Sequence, residues 1–283
     1  NFLKEINSKM LQGYKVVQGY IDSKNPNDSW IAAAYSIAFW TQNRMFQLAR
    51  ANVGFSNQIG GTGFAIETDT LRELGWGATC LTEDLEFTCK LVLNGEKVGW
   101  AHDAIIYDEK PLKLAQSWSQ RKRWMQGFTD VASRYFFKLL KKSIVERKFY
   151  MFDCALYVLQ PFITLLLGVS ALLTILQANT KGLNIFIMSY LFSDIGWKAF
   201  AAVQFLLTPL VLAFDKKVSK GFLAMMFLYS TNVFIVPYLS KTIGDIHLLF
   251  IGGIALLYNL AFLILTWVFL GKKNLILFFR FLL

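Results

Sequence analysis

Apolar residues change rhythm near Phe149. Downstream they run in long blocks, and four of these, about residues 149–177, 197–214, 221–239 and 248–270, each approach the roughly 20 residues a helix needs to cross a bilayer. Ser230-Thr231-Asn232 and Pro237 interrupt the third. Upstream the apolar positions follow shorter periods. Phe2, Leu3, Ile6, Met10 and Leu11 stripe an amphipathic helix up to about Gln12, and Tyr14 to Ile21 alternates as a strand does. Ser23 to Asp28 is a turn cluster, after which Asp28 or Ser29 can cap a helix from Trp30 to about Asn52, with Trp30, Tyr35, Phe39 and Trp40 read mainly as core. Phe64-Ala65-Ile66 reads as a short buried strand, and Thr68 or Asp69 starts a short helix ending at Gly75. Thr82 can cap a helix through Leu85, Phe87, Cys89, Leu91 and Val92 that Asn94-Gly95 stops. Val98 to Ala101 and Ala104 to Tyr107 are strand-like, flanking His102-Asp103, and Pro111 opens a further helix. Tyr135 to Lys148 sets Phe136, Phe137, Leu139, Leu140 and Ile144 against Lys138, Lys141, Lys142, Arg147 and Lys148, the composition of an interfacial helix. The expected organisation is therefore an α/β part over 1–134, an interfacial helix over 135–148 and a membrane region over 149–283.

Charge supports this division. The chain carries 29 Lys and Arg against 19 Asp and Glu, a net +10. Its basic clusters lie before the first span, between the second and third (Lys216, Lys217, Lys220), and after the fourth (Lys272, Lys273, Arg280), so four spans put all of them on the side of the soluble part. That pattern argues for a multi-pass cell-membrane protein with a cytoplasmic soluble part, and against nucleic acid as partner. Cys80, Cys89 and Cys154 form no CxxC pair and His102 and His247 stand far apart, which argues against zinc and fits a reducing compartment. The chain starts abruptly at Asn1, without an initiator Met, as a piece of a longer protein would.

Two short segments carry the chemistry. Asp84 falls in the first turn of the helix after Thr82, where it is either a simple helix-terminal charge with Glu83 or a base. Gln120, Arg123 and Trp124 fall at i, i+3 and i+4, so one helical face presents an amide, a guanidinium and an indole. For Arg121 and Lys122, contact with lipid headgroups is an equally simple reading. The glycines of Gly60-Gly61-Thr62-Gly63 serve either a tight turn or the close approach of backbone to a ligand.

Thr82-Glu83-Asp84 and Gln120-Arg121-Lys122-Arg123-Trp124, with the glycine loop upstream and apolar spans downstream, resemble the family 2 membrane glycosyltransferases that include cellulose, hyaluronan and poly-N-acetylglucosamine synthases. The resemblance implies the acceptor side of a GT-A-like α/β domain followed by about four transmembrane helices. It implies inverting transfer from UDP-glucose or UDP-N-acetylglucosamine to a growing β-linked polysaccharide, exported through the helices, with accessory export subunits as further partners. By the same resemblance, Asp84 is the base and Glu83 and Thr82 complete its motif. Gln120, Arg121 and Arg123 hold the donor diphosphate, and Trp124, Gly61, Thr62 and Gly63 face the acceptor. The family's Asp-x-Asp motif, which binds the nucleotide with Mg²⁺ or Mn²⁺, does not occur in this chain, so metal ligands are expected before Asn1. A non-processive glycolipid transferase and a catalytically inactive membrane subunit are the alternatives.

Overall fold

The computed structural model describes residues 1–77, 79–179 and 194–218, with 226–227, 253–254, 256–265, 267–268 and 271. It divides into two compact units, Asn1–Ile185 and Phe186–Leu283.

The first unit is built on a mixed three-stranded sheet in the order β2-β1-β3. The centre strand β1 (Val16–Ser23) pairs antiparallel with β2 (Phe64–Ile66) and parallel with β3 (Val98–Asp108). All eight residues of β1 are buried, so the expected one-faced alternation gives way to a strand covered on both faces. Strand β2, expected buried, is only half-buried. The two strand segments expected around His102-Asp103 are one strand, because the partner register jumps from Gly19–Ala101 to Tyr20–Ile105 and the extra residues bulge out.

Helix α1 (Phe2–Met10) lays Ile6 on Val17, Ala101 and Ala104, while Leu3 and Leu11 face outward, so its apolar stripe is narrower than the sequence pattern implied. Helix α2 (Trp30–Gln42), capped by Ser29 Oγ accepting from the Ala32 N–H, continues through a π-helical turn, Asn43–Leu48, into α3 (Ala49–Asn52). Tyr35 is buried there, but Trp30 is exposed and not part of the core. Helix α4 (Thr68–Leu74) ends at Gly75 as expected.

Helix α5 (Glu83–Leu93) is the core of this unit. Phe87 and Leu91, one turn apart, pack with Val16, Ile59 and Val98 of the sheet side. Leu85, Cys89 and Val92, on another face, pack with Val131, Ala132, Leu139, Met151, Ala155 and Val158. Each fully buried Phe or Leu contributes about 1.5–3 kcal/mol, so α5 is fixed from two directions. Asn94 and Gly95, with φ +86° at the glycine, end it where expected.

Helix α6 (Leu114–Glu146) is one run of 33 residues. It therefore begins after Pro111, with the Gln116 side chain accepting from the Lys113 N–H, and it absorbs residues 135–146 of the segment 135–148 that was expected to be a separate helix. Arg147, in the left-handed region at φ 54°, ends it. Helices α7 (Phe149–Val158) and α8 (Gln160–Asn179) occupy the first apolar block as a broken pair, bent by 62° between Phe149–Val158 and Gln160–Ser170. By length and composition that pair could cross a membrane; among the described residues no single helix is long and apolar enough. In the second unit, α9 (Asp194–Phe214) covers the second block and holds Pro209, and a shorter apolar helix spans Leu256–Leu265 within the fourth. The third block lies almost wholly outside the described residues.

Candidate active site

Asp84 sits in the first turn of α5, half-buried, its Oδ1 accepting from the Leu85 N–H at 2.8 Å. Burial pushes its pKa up and the neighbouring Glu83 adds to this, whereas backbone N–H groups and the Arg123 guanidinium pull it down; the net direction is upward. The helix terminus thus does not over-stabilise the charge, and Asp84 is a better proton acceptor than a solvated carboxylate. Thr82 occupies the cap position, but its side chain makes no capping bond. The helix start is held instead by the Glu86 N–H donating to the Thr82 carbonyl and by the Thr88 hydroxyl donating to the Asp84 carbonyl at 2.8 Å.

The glycine loop lies directly against this carboxylate. Gly61 takes φ +74°, and a Cβ there would stand 3.2 Å from Asp84 Oδ2. Gly63, at φ +63°, would drive a Cβ into Ile106 at 2.8 Å. The positive φ values make these glycines turn residues, and the missing side chain of Gly61 leaves space beside Asp84. The loop is anchored by buried polar side chains. The Thr88 hydroxyl accepts from the Ile59 N–H, Gln47 and Asn57 bond each other just upstream, and Gln18 bonds Gly60 and Thr62.

The second motif reaches Asp84 through α6. Gly127, one turn past Arg123, packs on Thr82 so closely that a Cβ would lie 2.5 Å from Thr82 Oγ1. This contact brings Arg123 to the segment before α5, where its Nη1 donates to the Leu81 carbonyl at 2.9 Å while the side chain stays exposed. Gln120 Oε1 is buried without a partner. Trp124 lies with its ring 6.1 Å from Tyr35, tilted by 50°. Arg121 turns away from Arg123 onto the same Tyr35, its guanidinium 4.9 Å from the ring and its Nε donating to the hydroxyl at 3.4 Å. So Thr82, Asp84, Gly61 and Arg123 come together, with Thr62 and Gly63 in the adjoining loop. Trp124 and Arg121 share an aromatic support on α2, and Glu83 acts on Asp84 by charge.

Several supporting residues escaped the sequence reading. Glu86 is buried on α5, accepting from the Thr79 N–H at 2.9 Å and the Tyr135 hydroxyl at 3.1 Å, with Lys90 at 3.4 Å. Burial opposes its charge, but Thr79, Cys80, Tyr135 and Lys90 together hold its pKa down at about 2. Arg134 donates to the Thr79 hydroxyl and pairs with Asp130, so this network ties the segment before Thr82 to both α5 and α6. Its only sequence signal is an acid two positions past Asp84. Gly127 did have one: it continues the helical face of Gln120, Arg123 and Trp124 with a residue small enough for close approach.

Among the described residues no three His, Cys, Asp or Glu side chains converge to hold a metal ion.

Two curated proteins illustrate the similarity. A probable glycosyltransferase, YdaM of Bacillus subtilis (strain 168), is 35% identical over 98 residues, 33% of this chain and 23% of its own. A poly-beta-1,6-N-acetyl-D-glucosamine synthase of Staphylococcus aureus (strain COL) is 30% identical over 114 residues, 40% of this chain and 28% of its own. The matched segments thus span less than a third of either relative. The profile described as glycosyl transferase family group 2 matches residues 1–271, nearly the whole chain, and the chain belongs to that family.

Proposed function

We propose that the protein transfers a sugar, with inversion, from UDP-glucose or UDP-N-acetylglucosamine to the end of a growing β-linked polysaccharide. The observation that carries this reading is the meeting of the Asp84 carboxylate, its pKa raised by burial, with the open backbone of Gly61 on one side and the exposed Arg123 on the other. The acceptor hydroxyl oxygen attacks the anomeric carbon and gives its proton to Asp84. The bond from that carbon to the diphosphate breaks with its electron pair leaving on UDP. Arg123 forks onto the departing phosphates and the Gln120 amide N–H groups donate to them, while Gln120 Oε1, without a partner in the protein, is left to accept from a sugar hydroxyl. Arg121, expected on the diphosphate, is engaged with Tyr35 instead and steadies the Trp124 side of this face. Trp124, braced by Tyr35, stacks on the acceptor sugar, with Thr62 and Gly63 beside it. A divalent cation would neutralise the diphosphate.

The soluble part faces the cytosol and α7–α8 enter the membrane. Supporting this are exposed Leu165, Leu166 and Leu167 on α8 and exposed Phe137 and Ile144 beside the lysines of α6, surfaces that lipid would cover. The polymer leaves through the membrane helices, aided by accessory subunits. The name of the staphylococcal relative makes N-acetylglucosamine the first donor to try.

The test is product analysis on membranes carrying the full-length protein, with each radiolabelled UDP-sugar plus Mg²⁺, beside Asp84→Asn. High-molecular-weight polymer from one donor, lost in the variant, is the expected result. A short glycolipid product would replace polymer synthesis with single transfer, and no product from a folded protein with any donor would leave a non-catalytic membrane subunit.

A further inference from the structure

We propose that Gln18 is a positioning residue for sugar transfer, its buried amide setting the Gly60–Gly63 loop against Asp84; this rests on the reading of Asp84 as the base. Gln18 lies in the middle of β1 with 0% exposure, among Val16, Val17 and Tyr20. Packing alone would be met there by Leu or Met, and a buried amide is costly unless its hydrogen bonds are made. They are made to the loop. Nε2 donates to the Thr62 carbonyl at 2.9 Å and the Gly63 carbonyl at 3.2 Å, besides Gly19 of its own strand at 2.9 Å. Oε1 accepts from the Gly60 N–H at 2.9 Å. Exchanging the amide's oxygen and nitrogen would set oxygen against three carbonyls, so the network fixes the orientation.

The bonds bracket Gly61. Gly60 is held on one side of it and Thr62 on the other, while the Gly61 backbone between them makes the near approach to Asp84 Oδ2. On the far side, Ile59 is tied to Thr88, whose hydroxyl bonds the Asp84 carbonyl. Loop and base are thereby clamped to each other through β1 and α5. The Gly19 N–H holds the Gly63 carbonyl at 2.8 Å and Thr88 holds Ile59, but between those ends Gly60 and Gly61 are solvent-exposed, and the Gln18 amide is what bonds Gly60 and Thr62 there. Gln18 touches no reacting atom. What it controls is where the acceptor hydroxyl rests, and a misplacement of about 1 Å costs on the order of 100-fold in such reactions.

A misplaced acceptor leaves the bound donor open to water. The readout is therefore the ratio of transfer to UDP-sugar hydrolysis, measured with the full-length protein in membranes for wild type, Gln18→Met and Gln18→Glu. Gln18→Met keeps the volume and loses every bond; Gln18→Glu keeps the acceptor for Gly60 and loses the donors. We expect the ratio to fall by about tenfold or more in Gln18→Met, and by less in Gln18→Glu. Transfer and hydrolysis falling together, or an unchanged ratio in an active variant, overturns the proposal, since a merely structural role lowers both alike. If Gln18→Met does not fold, the same ratio in Gln18→Glu decides. Hydrogen exchange on the wild type decides independently of any variant: the exposed Gly60 amide is protected if Gln18 holds it, and fast exchange there overturns the proposal. A wild type that neither transfers nor hydrolyses any sugar nucleotide sinks the Asp84 reading itself, whereas an active wild type with an unaffected variant sinks only this one.

Discussion

The two halves of the site are built in opposite ways. Around Asp84 almost every polar group is bonded within the protein: Gln18, Thr88 and Glu86 are buried and hold the glycine loop and the start of α5 in place. On α6 the backbone is one rigid helix, yet Gln120 keeps a free oxygen and Arg123 a largely exposed guanidinium. On the proposed reading a base must be placed before substrate arrives, because it has to lie within hydrogen-bond reach of the acceptor hydroxyl. On the same reading, a diphosphate clamp gains from side chains that are completed by the ligand. The lesson is that preorganisation here belongs to the loop and α5, while adaptability belongs to the side chains of α6.

The comparison is broken most severely at the base. Asp84→Asn should lower transfer by about 10²–10⁴-fold while leaving folding intact, as checked by product formation and circular dichroism. In the wild type, kcat/KM should fall as the pH drops through the Asp84 pKa, with its acid limb displaced above the ordinary carboxylate value because burial raises that pKa. Arg123→Ala should cost roughly 10²–10³-fold in kcat. Arg123→Lys should recover part of this, since charge is restored without the fork; full recovery would show that the forked geometry does not matter. Gly127→Ala couples the two halves: its Cβ meets Thr82 at 2.5 Å, so the variant should lose about 1–3 kcal/mol of stability in denaturant unfolding and lose activity as Arg123 is pushed off the Leu81 carbonyl.

The smallest effect is at Glu86. Its folded pKa of about 2 lies below the ordinary 4.5, so its contribution is fully present above pH about 4.5 and is lost as pH falls toward 2. Glu86→Gln should destabilise the protein by about 2 kcal/mol at neutral pH and flatten the decline of thermal stability over that acid window. An unaltered acid profile would remove Glu86 from the network that holds the loop.

What the sequence disclosed depended on whether a residue's role was local. Asn94-Gly95 and Gly75 end their helices through backbone conformation, and both stops were legible. Thr82 marked the right position for the start of α5, but its side chain was drawn to Gly127, a contact across 45 positions that no local pattern encodes. The bulge joining the two halves of β3 depends on its pairing with β1 and is likewise invisible in β3 alone. The same holds for α7 and α8: hydropathy read residues 149–177 as one span, because composition does not register a 62° bend. The helical placement of Asp84 on α5 and of Gln120, Arg123 and Trp124 on α6 was legible because spacing expresses helical geometry directly, whereas their roles came only from the family resemblance. Gln18 looked like an ordinary polar position in an alternating strand, and only burial on both faces of β1 gives it meaning.

The unbroken course of α6 makes helical phase a heritable quantity. At 1.5 Å per residue the helix is about 50 Å long, and each residue turns the chain by roughly 100°. Gln120 and Arg123 lie near its start; Leu139, which fits the core of α5 and α7, lies near its end. A single inserted residue between Gly127 and Val131 would leave both ends intact in composition but rotate one against the other by about a quarter turn, so either the substrate face or the buried face would point the wrong way. Insertions of seven or eleven residues nearly restore the phase but lengthen the rod. Evolution of this helix is therefore confined to substitution: its sequence can drift, but its length between those two faces is locked.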